Sequence, residues 1–363
     1  MATEQRLQVI DADAHVVESE RTWDYLDPGE ERYRPTLYTT PNEPGRAVWG
    51  AGGQFRSMNF NDTREQLAEL SKKSGFDLDL SPEGRHMHDV QARLADMDRL
   101  GIDVQVLYNS FWLTAVTDDP AAERALCRSW NRWMADACGQ SPDRLRWTCV
   151  VPVMSMDESL EQIRYAKEHG AVGVMMRPIE GDRLLVDPYF YPLYEEAERL
   201  NMAIGVHVSN ASPAVVAGMR SRYDRAASFY SLRVPTVGSC LVHIMSEVPE
   251  RFPTLRWGFI EVSAQWVPWI VKEAKRRARK LSRDMSDNVL QAANVYVSCE
   301  VDDDLPFILN YSGEQNLVIG TDYGHTDISS ENDAITTFRA REDVSPEVKV
   351  KILQDNPRAL YGL

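Results

Sequence analysis

Short apolar runs alternate along the chain with longer stretches in which apolar residues recur at helical spacing. Eight runs have the length and apolar character of buried strands. They are Leu7–Val16, Asp103–Tyr108, Leu145–Val153, Ala171–Arg177, Ala203–Val208, Leu255–Glu261, Asn294–Cys299 and Leu317–Asp322. The helical stretches are Arg85–Leu100, Pro120–Gly139, Asp157–His169, Pro188–Leu200, Pro235–Val248, Gln265–Arg283 and Asp333–Arg341. This alternation predicts an α/β fold, a (β/α)8 TIM barrel.

An open, doubly wound sheet is the alternative fold for such an alternation. It would carry a glycine-rich phosphate-binding turn after its first strand. The first predicted strand instead runs into Ala14-His15-Val16-Val17-Glu18, which contains no glycine. We therefore favour the barrel.

Two segments interrupt the alternation, Ser19–Gly84 after the first strand and Ser209–Leu232 after the fifth. Segments that follow barrel strands lie on the rim that carries the active site. We expect one barrel over residues 1–363, with residues 19–84 as a rim insertion or cap within it.

Composition narrows the class of protein. Apolar residues are 43% of the 363 residues, and the net charge of −15 argues against nucleic acid or an anionic membrane surface as partner. No apolar run approaches the roughly 20 residues that span a bilayer. The five cysteines are scattered without CxxC spacing, as in a reduced protein. We expect a cytoplasmic location.

Polar residues close four of the apolar strands. Asp13 and His15 lie two apart at the end of the first, and His207, Glu261 and Asp322 end the fifth, sixth and eighth. The carboxyl ends of barrel strands meet at one rim, and imidazoles with carboxylates can bind a divalent metal there.

Two further polar residues are candidates for binding substrate. Arg177 ends the fourth strand, where its guanidinium could bind a substrate carboxylate or form a structural salt bridge. His325 follows Asp322 closely on the same rim and could touch substrate. The residues alone leave both alternatives open for Arg177.

The chain resembles the amidohydrolase superfamily, in the amidohydrolase-related branch that includes aminocarboxymuconate-semialdehyde decarboxylase. The matching segments are Val9–His15, Gly101–Tyr108, Asp187-Pro188 with Pro192-Leu193-Tyr194, Ala203–His207, Arg251–Leu255 and Gly320–Tyr323. The resemblance implies a distorted TIM barrel with one divalent metal held by Asp13, His15, His207 and Asp322. Among metals we rank Mn²⁺ and Zn²⁺ first and Fe²⁺ next.

The chain departs from its relatives at two strand ends. Many relatives have histidine or glutamate where Asp13 stands, and a carboxylate there shifts preference from Zn²⁺ toward harder metals. Many also present a catalytic histidine where this chain has Glu261. Glu261 could act as an acid or base, orient another group, or form a structural hydrogen bond. Residues 172–177 contain no lysine to bridge two metals, so one metal is expected.

Two reactions are compatible with this set of residues. The main hypothesis is a metal-dependent hydrolase that acts on a small aromatic or carboxylated substrate through a metal-activated water, with Asp322 and Glu261 as catalytic carboxylates. The alternative is a non-oxidative, metal-dependent decarboxylase of an aromatic or unsaturated carboxylic acid. In either case we expect a small-molecule substrate, no nucleic-acid or membrane partner, and a homo-oligomer of two or more copies.

Overall fold

A parallel eight-stranded sheet forms the centre of the molecule. The computed structural model describes residues 7–39, 47–51, 54–56, 63–75, 78–219, 226, 229–326 and 329–363. In that part of the chain the strands are β1 Ile10–His15, β2 Val104–Tyr108, β3 Leu145–Cys149, β4 Ala171–Met176, β5 Ala203–His207, β6 Trp257–Ile260, β7 Val295–Cys299 and β8 Leu317–Ile319. They neighbour one another in chain order. The predicted TIM barrel is confirmed. Strands β2, β4, β5 and β7 are one residue shorter than predicted, and β1, β3, β6 and β8 are three or four residues shorter.

Helices surround the sheet and connect its strands. They are α1 Arg64–Ser74, α2 Pro82–Arg85, α3 Val90–Leu100, α4 Pro120–Gly139, α5 Met156–Glu168, α6 Tyr191–Arg199, α7 Pro213–Met219, α8 Val234–Met245, α9 Val248–Arg251, α10 Val267–Lys280, α11 Val289–Ala292, α12 Leu305–Ser312, α13 Ala334–Ala340, α14 Pro346–Val350 and α15 Asn356–Tyr361. Helix α4 begins and ends as predicted. Its start is fixed by the Asp119 carboxylate, which accepts a hydrogen bond from the Ala121 amide. Among the described helices, none combines the length and the apolar character needed to cross a bilayer.

The barrel closes between β8 and β1 through a few backbone hydrogen bonds just past the end of β8. The amides of Thr321 and Asp322 donate to the Asp13 carbonyl at 3.1 and 3.0 Å, and the His15 amide donates to the Tyr323 carbonyl at 2.7 Å. Gly320 makes this close approach possible, since a Cβ atom there would lie 2.3 Å from the Asp13 Cβ. The backbone hydrogen bonds of this seam therefore involve Asp13, His15 and Asp322, whose side chains are candidate site residues.

The barrel interior and the space under the helices form two separate apolar cores. Inward-facing side chains of β1, β2, β4, β5, β6 and β8 pack with Leu360 and Tyr361 of α15 inside the barrel. The Tyr361 hydroxyl donates to the Ala12 carbonyl at 2.7 Å. The larger core lies between the strands and the helices. The terminal helix thus fills the barrel beside β1.

The segment after β1 contains more regular structure than its sequence suggests. Its described residues include two 3-10 turns, Glu20–Tyr25 and Glu31–Tyr33, and an antiparallel sheet of Thr36–Thr39, Ala47–Ala51 and Gln54–Arg56. Trp23 anchors it, with ring centroids 5.0 Å from Phe111 and 6.1 Å from Trp49. Since Phe111 follows β2, the segment packs at the rim. Its role as a cap remains a prediction.

We expect Gly320→Ala to lower the free energy of unfolding by about 1–3 kcal/mol, because the added methyl must push β8 away from Asp13. Denaturant unfolding of the purified variant measures this. Gly139→Ala, at the exposed end of α4 with no heavy atom near the added methyl, is the matched control and should be neutral or slightly stabilising. Equal stability of Gly320→Ala and wild type would contradict the account of the seam.

Candidate metal centre

A β-bulge turns the end of β1 into the barrel mouth. Asp11 pairs with Gln105 and Ala14 pairs with Leu107, so β1 advances three residues while β2 advances two. Ile10 and Ala12 belong to the inner core, and the extra residue lets both Asp13 and His15 follow Ala12 into the barrel mouth. Simple alternation predicts that Asp13 and His15 share a face. It does not predict the bulge that selects which face.

Two buried histidines meet through their Nε2 atoms, which lie 2.9 Å apart. The Nδ1 atom of His15 is 2.9 Å from the Asn109 carbonyl, and that of His207 is 3.4 Å from the Val208 carbonyl. A carbonyl only accepts, so Nδ1 carries the proton and the Nε2 lone pair faces the cluster. Burial, followed by the neighbouring His325 and His207, holds the pKa of His15 well below its ordinary value.

Three carboxylates complete the cluster. The Asp13 Oδ1 atom lies 3.3 Å from His207 Nε2, and Glu261 Oε2 lies 3.2 Å from the same nitrogen. Asp322 Oδ1 lies 3.5 Å from His15 Nε2. All five side chains are buried. The structure therefore brings together the four predicted ligands and Glu261 at one end of the barrel.

Backbone conformation and two adjacent serines orient two of these carboxylates. Glu261 and Asp322 both have positive φ, 61° and 50°, which is unfavourable for residues other than glycine. The Ser329 hydroxyl donates to Glu261 Oε1 at 2.7 Å, and the Ser330 hydroxyl donates to Asp322 Oδ2 at 2.7 Å. Each serine holds the outer oxygen, so the other oxygen faces the histidines.

His325 extends the site on the Asp322 side. Its ring stacks on His15 with centroids 3.7 Å apart, and its Nδ1 lies 2.8 Å from Asp322 Oδ1. Its Nε2 lies 2.7 Å from the Ser110 hydroxyl. The Ser110 amide donates to the buried Glu18 carboxylate at 3.2 Å. Ser110 therefore contacts His325 through its hydroxyl and Glu18 through its backbone amide.

The donor set fits a divalent cation. The buried donor atoms form two overlapping groups, each with all its atoms within 4.8 Å of one another, and the carboxylates in them repel one another with little screening. The groups are Asp13, His15, His207 and Glu261, and His15, Glu261, Asp322 and His325. A cation at their centre would turn that repulsion into attraction. Imidazole and carboxylate donors suit Zn²⁺, Mn²⁺ and Fe²⁺.

Arg177 lies in a buried ion pair away from these donors. Its Nη2 is 2.6 Å from Glu180 Oε2, and its Nε is 3.0 Å from Glu180 Oε1. Its Nη1 donates to the carbonyls of Trp112 and Thr114 at 3.4 and 3.3 Å. These contacts correspond to the salt-bridge alternative, and a substrate-binding role for Arg177 remains a prediction.

The amidohydrolase family model matches residues 10–363. The chain belongs to this family. A 2-amino-3-carboxymuconate-6-semialdehyde decarboxylase of Dictyostelium discoideum is 22% identical over 250 residues, which cover 65% of this chain and 66% of that relative. The match thus spans just under two thirds of the relative's length.

Solved structures share the fold of this chain. An amidohydrolase of Mycobacterium avium subsp. paratuberculosis K-10 superposes with a TM-score of 0.80 at 20% identity, over 99% of this chain and 100% of that one. A 5-carboxyvanillate decarboxylase of Novosphingobium aromaticivorans, with bound manganese and 3-methoxy-4-hydroxy-5-nitrobenzoic acid, has a TM-score of 0.69 at 19% identity. That match covers 99% of this chain and 98% of the other.

Several residues of the site have no clear signal in the sequence. Ser110, Ser329 and Ser330 lie in loops, where serines are common. Glu18 lies in the turn that follows the first predicted strand, and a single glutamate there indicates no particular role. Their roles depend on which loops the barrel brings together, and only the position of Ser329 and Ser330 shortly after β8 hints at the rim.

We expect Glu18→Gln to gain stability relative to wild type as the pH rises from 4.5 to 7. Burial raises the pKa of Glu18 from 4.5 to about 7, so the folded protein keeps a proton that the unfolded chain releases in this window. Wild-type stability therefore falls there, by up to about 3 kcal/mol from this group, whereas glutamine does not titrate.

Denaturant unfolding at several pH values between 4.5 and 8 measures this difference. The exposed Glu342→Gln is the matched control and should track wild type. A constant difference between Glu18→Gln and wild type over the whole range would refute the expectation.

Proposed function

We propose that this member of the amidohydrolase family is a metal-dependent, non-oxidative decarboxylase of an aromatic or unsaturated carboxylic acid. The observation that carries the proposal is the Asp322–His325 pair, whose 2.8 Å contact lies beside the cluster and away from solvent. Such a pair can hold a proton and deliver it to a carbon atom. The decarboxylases among the similar proteins support this choice over the hydrolysis favoured by sequence alone.

The residues of the site divide between holding a metal and moving a proton. Asp13, His15, His207 and Asp322 would hold one divalent cation, which would act as a Lewis acid toward the substrate's carboxylate and a neighbouring oxygen. Mn²⁺ is the preferred candidate, because carboxylates make up half of this set.

Asp322 is the group we assign to proton transfer. Its Oδ2 is held by Ser330, and its Oδ1 contacts His325 Nδ1. In the reaction the substrate loses its carboxyl carbon as CO2, and the carbon left behind gains one proton. Asp322 supplies that proton, and the adjacent His325 can pass a replacement proton to Asp322.

Hydrolysis is the second candidate function, and Glu261 is the observation that favours it. Its Oε2 lies 3.2 Å from His207 Nε2, so it adds a further carboxylate to the mouth of the barrel. A carboxylate in that position can accept a proton from an attacking water. The two candidate reactions differ in whether CO2 leaves or water enters.

We expect metal-loaded enzyme to release one CO2 for each product molecule from at least one acid in a panel of aromatic and unsaturated carboxylic acids. In D2O the product should carry one deuterium at the carbon that lost CO2, because a solvent-exchanged proton replaces the carboxyl group. Mass spectrometry and CO2 detection measure both quantities. Product that contains ¹⁸O from labelled water, without CO2, would establish hydrolysis instead.

Asp322→Asn identifies the proton donor in the same assay. At equal metal occupancy its kcat should fall about 100-fold or more. Asp182→Asn is the control and should keep the wild-type rate, because the Asp182 side chain is exposed in the turn between the short paired strands Ile179–Glu180 and Arg183–Leu184. If Asp322→Asn retains most of its rate, the proton comes from another group.

A further inference from the structure

Glu261 stands where its backbone must adopt an unfavourable conformation to reach the cluster. The preceding residue, Ile260, faces the inner core, so regular alternation would point Glu261 outward. Its φ of 61° redirects the side chain, and its amide donates to the Ser298 hydroxyl at 2.7 Å. Hydrogen bonds thus fix both the amide and the carboxylate of a residue with an unfavourable backbone conformation. This indicates that the position of the Glu261 side chain serves a function.

The distances around Glu261 are those of ligands that share one cation. Its Oε2 lies 3.2 Å from His207 Nε2 and 3.7 Å from His15 Nε2. Two donors that each sit about 2.1 Å from one cation are about 3.0 Å apart at a right angle and about 3.4 Å apart at a tetrahedral angle. Asp13 and the two histidines lie at similar separations, from 2.9 to 3.6 Å.

Glu261 is also shared between the two donor groups of the site. One group consists of Asp13, His15, His207 and Glu261, and the other of His15, Glu261, Asp322 and His325. Its outer oxygen is fixed by Ser329, which leaves Oε2 as the oxygen that faces both groups. This matches the way Ser330 fixes Asp322, a predicted ligand.

We propose that Glu261 is a direct metal ligand and that it makes the site selective for a hard, six-coordinate divalent cation such as Mn²⁺ over Zn²⁺. The set then holds two imidazoles and three carboxylates. Zn²⁺ favours four ligands and nitrogen or sulfur donors, whereas oxygen-rich octahedral sets suit Mn²⁺. The proposal rests on the metal site of the proposed function and assigns Glu261 to metal binding instead of proton transfer.

Calorimetric titration of chelator-stripped protein with Mn²⁺ alone, and separately with Zn²⁺ alone, tests the proposal without any substrate. Glu261→Gln should weaken Mn²⁺ binding at least about 100-fold, because a charged ligand is replaced by a neutral amide. Zn²⁺ binding should weaken less, so the ratio of the two affinities shifts toward Zn²⁺. Glu123→Gln removes another buried carboxylate, outside the cluster, and should bind both metals like wild type.

Ser329→Ala provides a second test that keeps the carboxylate. It removes the hydrogen bond that orients Glu261 and should weaken Mn²⁺ binding about 10-fold. Mn²⁺ affinities of Glu261→Gln and Ser329→Ala within threefold of wild type would overturn the ligand assignment. If Glu261→Gln does not fold, the Ser329→Ala result decides.

The outcomes separate this proposal from the proposed function. Wild-type protein that binds neither metal would overturn the metal site itself and both proposals with it. Loss of Mn²⁺ from Glu261→Gln, combined with ¹⁸O-labelled product and no CO2 from wild type, would uphold the ligand assignment and reject decarboxylation.

Discussion

The convergence of imidazole and carboxylate donors in a buried barrel mouth is the constraint on which the site depends. The Nε2 atoms of His15 and His207 lie 2.9 Å apart, and carboxylate oxygens approach both. In a buried space of low dielectric constant, the carboxylate oxygens and the imidazole lone pairs repel one another unless a cation lies between them. The positive φ of Glu261 and Asp322 is unfavourable, and hydrogen bonds from Ser329 and Ser330 hold both carboxylates in place. Such an arrangement is expected where the free energy of metal binding outweighs the unfavourable terms.

Structural stability and the site are coupled through the seam between β8 and β1. Asp13 contributes its carbonyl to the hydrogen bonds that close the barrel and its carboxylate to the cluster. Asp11, on the other side of the strand, accepts hydrogen bonds from the Thr321 hydroxyl and the Gln105 amide at 2.7 and 2.9 Å. Changes in packing at the seam should therefore reach the proposed metal ligands directly.

The sequence was sufficient to predict the barrel and the strand ends that carry the donors, because buried parallel strands are short apolar runs and their carboxyl ends share one rim. It could not predict the bulge in β1 or the positive φ of Glu261, since both arise from closure of the barrel. The partner of Arg177 was also beyond the sequence, although Glu180 lies only three residues away, because the intervening turn decides which groups meet. The antiparallel sheet after β1 was missed because its strands are short and weakly patterned.

Anomalous diffraction from crystals grown with Mn²⁺, collected at the manganese absorption edge, tests the central claim most directly. We expect one strong peak per chain, within about 2.0–2.3 Å of the Nε2 atoms of His15 and His207 and of oxygens from Asp13, Glu261 and Asp322. A cluster without a peak in crystals whose protein is fully folded, or a peak held by other residues, would contradict the account.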